Sequence, residues 1–220
     1  FAAPVETKET QITRVENNGH AMAPYMMSVA LWVGCIAFSL MYPLTKYSGK
    51  LKSGLAWWGS KASVLYLIAL LQAAVMIFML HLCDGFEPVE MGKTLAVACL
   101  ASVAFMSVMY FFTNTFGKVG SFLMLVFMVI QLAGSVGTYP LELSGSFVPY
   151  LHDWVPFTYT VEAFRSTISG GESIQEAVIF LTVLWIVFTL LTILEFQIRT
   201  LKMKRGKRTL DNWLEEKGLA

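Results

Sequence analysis

The sequence predicts an all-α, polytopic membrane helical bundle. It has five transmembrane helices, N-terminus out and C-terminus in, and an outer re-entrant or interfacial helical hairpin before the last span. Three observations carry this fold class: five long apolar stretches without a charged residue, a one-sided distribution of Lys and Arg, and a Pro- and aromatic-rich segment too broken to span.

The apolar stretches are residues 22–44, 62–80, 94–116, 119–139 and 177–194, and none holds Asp, Glu, Lys or Arg. About 20 apolar residues at ~1.5 Å rise each cover the ~30 Å hydrocarbon core of a bilayer. Five such helices in 220 residues leave too little polar surface to keep the chain in water. The hydrophobic content of 56% and mean hydropathy of +0.61 agree. The chain therefore belongs in a cell membrane as a multi-pass protein, with the lipid bilayer as its first partner.

Orientation follows from basic residues near the span ends. Lys46, Lys50, Lys52 and Lys61 lie between the first two spans. Lys118 lies in the third loop, and Arg199, Lys202, Lys204, Arg205, Lys207, Arg208 and Lys217 follow the last span. Only Lys8, Arg14, Lys93 and Arg165 fall on the other face, which is read as the outside. The net charge of +1 hides this separation. An odd number of spans with the N-terminus outside requires an upstream crossing. The expectation is a C-terminal part of a longer protein, with residues 1–20 ending an extracellular segment, 21–198 forming the membrane domain and 199–220 a basic cytoplasmic tail. In that tail Thr209 is placed to cap a short helix carrying Leu210, Trp213 and Leu214.

The first cytoplasmic loop, residues 45–61, combines lysines with tryptophans. Lys50, Lys52, Trp57 and Trp58 mark it either as an interfacial connector, with lysines on anionic lipid and tryptophans at headgroup depth, or as a coupling element touched by a cytoplasmic partner. The second loop holds Gly92-Lys93-Thr94. Glu87 stands where a phosphate-binding loop needs its first glycine, so the chain carries no nucleotide-hydrolysing machinery. Small residues at Ala30/Gly34, Ala69/Ala73 and Ala98/Ser102 suit close helix packing.

The outer segment 140–171 is the most unusual. Pro140 stops the fourth span, and Pro156 opens a short helix in which Phe157, Val161, Phe164 and Ile168 share a face. Pro149, Tyr150 and Trp154 precede it; Gly170 and Gly171 end it. The expected arrangement is a helix pair at, or dipping into, the outer leaflet with aromatic residues at headgroup depth. Glu162 and Arg165 are spaced to pair.

Catalytic chemistry is not visible. The spans lack the carboxylates and bases that ion-coupled carriers use. His20, His81 and His152 form no metal cluster, and no nucleophile sits beside a base. Cys35, Cys83 and Cys99 show no metal spacing and are read as structural. Gln131 and Asn114 are the notable polar residues within spans and are expected to hydrogen-bond between helices. An enzyme, a cofactor and a nucleic-acid partner are not expected.

The stretch 17–28, Asn-Asn-Gly-His-Ala-Met-Ala-Pro-Tyr-Met-Met-Ser, and Met41-Tyr42-Pro43 resemble the C-terminal membrane region of the YhgE/Pip family, the phage infection proteins of Gram-positive bacteria. So do Gly137-Thr138-Tyr139-Pro140, Pro149, Trp154, Pro156-Phe157-Thr158-Tyr159 and Arg165. The second group is also similar to the wider ABC type-2 exporter membrane domain. The resemblance implies a further upstream span and a large extracellular region. It also implies pairing as a homodimer and a separate cytoplasmic ATPase that drives export of an amphipathic or envelope-related substrate. The loop bearing Lys50, Lys52, Trp57 and Trp58 would contact that ATPase. The hairpin bearing Pro140, Pro149, Trp154, Pro156, Tyr159 and Arg165 would close an outer gate. The alternative is a non-transporting anchor or scaffold for an extracellular phage receptor or a type VII secretion accessory.

Overall fold

The computed structural model describes residues 18–44, 53–135, 148–171 and 173–204. Pro140, Lys50, Lys52 and the predicted tail helix lie outside the described residues. All the regular structure among the described residues is helical: α1 (Asn18–Met41), α2 (Gly54–Asp84), α3 (Met91–Phe116), α4 (Lys118–Gly134), α5 (Val148–His152), α6 (Pro156–Ser169) and α7 (Gln175–Lys204).

Helices α1, α2, α3 and α7 are long and apolar enough to cross a membrane. The fourth predicted span, residues 119–139, appears as α4, which has 17 residues. At ~1.5 Å per residue it reaches about 25 Å, short of the ~30 Å core. Its last residue, Gly134, lies against the side chains of Leu151 and Val155.

α3 is the axis of the bundle. From Val97 to Tyr110 nearly every side chain is buried, because α1, α2, α4, α6 and α7 all pack around it. Its sequence permits this: Ala98, Ala101, Ser102 and Ala104 let neighbours approach, while Phe105, Met106 and Met109 fill the gaps. Ala69 and Ala73 on α2 are likewise buried, as their spacing predicts; Gly34 lies against Gln72, whereas Ala30 is exposed.

Helix ends are set locally. The Ser53 hydroxyl accepts from the Ala56 N–H to start α2, and Gly85, left-handed at φ 63°, ends it. The α3–α4 connection is the single residue Gly117, at φ 60° and ψ −137°, a conformation suited to glycine. Gly120 then lies directly on the Phe112 carbonyl, leaving no room for a side chain. Across that turn the Thr113 and Ser121 hydroxyls meet at 3.0 Å.

The α1 end, the α2 start, the α3–α4 turn and the α7 end share the basic end of the bundle. Lys61 Nζ donates to the Pro43 carbonyl at 2.7 Å there, tying α2 to the residues after α1. The opposite end carries α5, α6 and the α2–α3 connection.

Candidate functional site

Two places combine unusual geometry with functional residue types: the α5–α6 hairpin and the basic end of α7.

α6 is not a headgroup-level helix. Phe157, Val161, Phe164 and Ile168 do share a face, as their spacing predicts, but that face is inside the protein. Phe157 packs edge-on against Trp32 of α1, centroids 5.6 Å apart, and lies 5.8 Å from Phe105 of α3. Trp32 also meets Phe105 edge-on at 4.9 Å and Phe127 of α4 at 5.9 Å, and its indole N–H points at the Met124 carbonyl. Four helices thus converge on one aromatic cluster.

The other end of α6 is level with the start of α3. The N–H groups of Val89 and Glu90 donate to the carbonyls of Ile168 and Thr167, satisfying the helix end that would otherwise be orphaned. Eleven residues separate Phe157 from Ile168, so α6 descends about 16 Å into the bundle. Of the two arrangements the sequence leaves open, the structure has the re-entrant one. Non-helical backbone at such depth is tolerated because it is enclosed by protein.

The re-entrant turn is fixed by polar contacts. His152 Nδ1 lies 2.9 Å from the Gly134 carbonyl, and the Thr158 hydroxyl donates to the His152 carbonyl at 2.7 Å. Leu151 and Val155 seat on the bare Cα of Gly134. Among the residues singled out by sequence, Pro156 is the buried first residue of α6. The Tyr159 hydroxyl donates to the Asp153 carbonyl at 2.9 Å, and its ring stacks on Phe180 of α7 at 3.8 Å. Pro149 belongs to α5. Arg165 is exposed on α6, and Glu162 comes within 3.8 Å of His152 Nε2. Tyr150 and Trp154 are each 79% exposed, so among the described hairpin residues they are placed to meet lipid or a partner.

At the basic end, Trp57 and Trp58 belong to the first turns of α2. Trp57 is buried, its ring edge-on to Phe196 of α7 at 4.8 Å, and Tyr110 donates to the Trp58 carbonyl. Trp57 therefore interlocks α2 and α7 inside the protein. Gly54 lies flat on the α7 backbone at Phe196 and Gln197.

α7 runs past the predicted span end to Lys204. Arg199 is accordingly a core residue and not a surface anchor. It pairs with Glu195 one turn back, at 2.5 Å, and donates to the carbonyl of Asn114 near the end of α3. The Thr115 hydroxyl donates to the other Glu195 oxygen at 2.6 Å. A cation at a helix C-terminus meets the carbonyl end of the dipole, and the pair satisfies both charges where burial would otherwise penalise them.

The polar residues inside the membrane region divide unexpectedly. Gln131 and Asn114 are fully buried, but their side chains find no hydrogen-bond partner among the described residues. The interhelical role falls to Gln72. Its amide nitrogen reaches Ser102 Oγ at 2.6 Å, Cys35 Sγ at 3.1 Å and the Leu31 carbonyl at 3.3 Å. Ser102 in turn donates to the Ala69 carbonyl, so α1, α2 and α3 share one polar node.

Sequence comparison says which family this helical bundle belongs to. The pattern of ABC-2 family transporter proteins matches residues 2–194. The chain belongs to the ABC-2 transporter family. It is a multi-pass component of the cell membrane and related to transport. It is also similar to the protein named uncharacterized protein YhgE of Bacillus subtilis (strain 168), with 35% identity over 172 residues. The aligned part is 78% of this chain and 22% of that protein, so the chain matches only a fraction of the relative's length. This supports a YhgE/Pip-like ABC-2 membrane region. No solved structure matches the chain.

Proposed function

We propose that this ABC-2 family chain is the membrane-spanning core of an exporter and performs no chemistry itself. A separate cytoplasmic ATPase supplies the energy, and the basic end faces that subunit. The substrate is amphipathic or envelope-related, and two copies of the chain form the working unit. The observation that carries this reading is α6. A 14-residue helix, too short to span, occupies the meeting place of α1, α3, α4 and α7. It enters and leaves from one end of the bundle, which is the geometry of a closing element. Aromatic and Met side chains fill the centre of a single copy, so the route for substrate lies along an interface between copies.

The segment 45–61 acts as the coupling element in this reading. The first turn of α2 within it carries Trp57, whose packing on Phe196 passes a push from the ATPase to α7. Purified protein should copurify with, and stimulate, an ATPase in lipid nanodiscs; failure to do either removes the main support for powered transport.

Exposure of Tyr150 and Trp154 favours a second reading, in which the hairpin end displays an aromatic docking surface and the spans serve as a scaffold. Deleting the hairpin cannot separate the two, because α6 supplies Phe157 and Phe164 to the core. Substituting Tyr150 and Trp154 together by Ala leaves that core intact. An export defect then supports the gate, whereas loss of phage adsorption or secretion with normal export supports the scaffold.

A further inference from the structure

The fully buried side chains of α7 are gathered towards its two ends. At the basic end the Trp57 ring, the Gly54 backbone and the Arg199–Glu195 pair all seize one stretch, Phe196, Gln197 and Arg199. At the hairpin end Ala177 and Leu181 are buried, and Phe180 stacks on Tyr159 with planes within 12°. From 182 to 191 no side chain is buried. Ties there include the Tyr66–Thr189 hydrogen bond at 2.9 Å, ring contacts of Trp185 and Phe188, and the partly buried Leu184. A continuous helix is stiff along its axis, so displacement at Phe196 reappears at Phe180, about 24 Å away.

The inner fastening has an alternative open to it. Asn114 gives its carbonyl to Arg199, yet its own side-chain amide is buried with no hydrogen-bond partner among the described residues. A buried polar group without a partner is costly. Hydrogen-bonding capacity is thus left unused beside the pair, available to a second register of α7 on α3. Elements that switch between discrete packings need such a second set of partners.

We infer that Glu195 and Arg199 are positioning residues: their clasp on the end of α3 sets the register of α7, and α7 transmits that register through the Phe180–Tyr159 stack to the re-entrant helix α6. The meaning of this link as control of a gate rests on the exporter reading above. The mechanical link itself does not.

A buried reporter on α6 tests it in the full chain, reconstituted in nanodiscs without any ATPase. Cys83 and Cys99 are replaced by Ser, Ala163→Cys is introduced at a buried α6 position, and its labelling by a membrane-impermeant maleimide is timed. The parent without Ala163→Cys supplies the background. Glu195→Gln should change the labelling rate by about threefold or more, the scale of coupling through packed networks. Arg199→Lys, which keeps the charge, should give a smaller change. Phe180→Ala should change the rate by itself and make it insensitive to Glu195→Gln. The inference is overturned if Glu195→Gln leaves α6 labelling unchanged, or if its effect persists undiminished in the Phe180→Ala background. If Glu195→Gln does not yield folded protein, Arg199→Lys takes its place in the same cycle with the same two overturning results. An absent ATPase would sink the exporter reading without touching this outcome, and additive labelling would sink the link while leaving the exporter reading in place.

Discussion

Two glycines on α2 should respond in opposite directions to the same substitution. A Cβ on Gly54 would lie 2.7 Å from the Phe196 oxygen, 2.7 Å from the Gln197 nitrogen and 2.8 Å from the Gln197 Cα. These are backbone atoms, about 0.7 Å inside ordinary contact, and cannot step aside as a flexible side chain can. Gly54→Ala must therefore push α2 off α7 and loosen the Trp57–Phe196 packing, which costs about 1–3 kcal/mol as overpacking. Better helix propensity returns a fraction of that, up to about 1 kcal/mol. The expected net is a loss of about 1–2 kcal/mol, or a fall of roughly 2–8 °C in Tm. Gly59, one and a half turns along the same helix, has nothing within 4 Å of its would-be Cβ. Gly59→Ala should gain about 0.5–1 kcal/mol and raise Tm by roughly 1–4 °C. Thermal unfolding of both variants in one detergent, followed by circular dichroism and intrinsic Trp fluorescence, decides the matter. Equal shifts, or a Gly54→Ala protein as stable as the parent, would refute the close α2–α7 backbone approach.

Other substitutions test the remaining junctions. Trp32→Ala empties the cluster where α1, α3, α4 and α6 meet and should cost about 3–5 kcal/mol in denaturant unfolding in mixed micelles. Gln72→Met removes the polar node while nearly keeping shape, and the same assay should report a loss of about 1–2 kcal/mol. Arg199→Met strands the Glu195 carboxylate in a buried setting and should cost roughly 3–5 kcal/mol. Adding Glu195→Leu to it should recover most of that loss, because the unpaired charge is what hurts; a double variant as unstable as Arg199→Met would contradict this.

Much of this architecture is legible in the sequence, and the misses have physical causes. Apolar length finds the helices, and the spacing of Phe157, Val161, Phe164 and Ile168 correctly gives α6 a single apolar face. Spacing does not say what that face meets, and lipid headgroups and a protein core ask for the same pattern. The inserted position depends on Trp32, Phe105 and Phe127, residues remote in sequence. The predicted span ends at Leu194, where hydrophobicity stops, whereas the helix itself runs on to Lys204, as far as its hydrogen bonding continues. The Glu195–Arg199 spacing of one turn is the signal that could have revealed the extension. Trp57 invites a lipid-facing assignment by its type, yet Gly54 three residues earlier lets α2 press close enough to α7 to bury it. Gln72 is overlooked because it sits among leucines and alanines with no other polar neighbour on α2; its partners come from α1 and α3.

The one-residue turn at Gly117 also bears on how the protein is made. Helices α3 and α4 have no spacer in which the first could settle before the second emerges, and Gly120 already rests on the Phe112 carbonyl. The two are therefore expected to enter the bilayer together, as a helical hairpin bent at Gly117 and Lys118. Because α4 alone is short for a bilayer, its insertion draws on the stronger apolar length of α3.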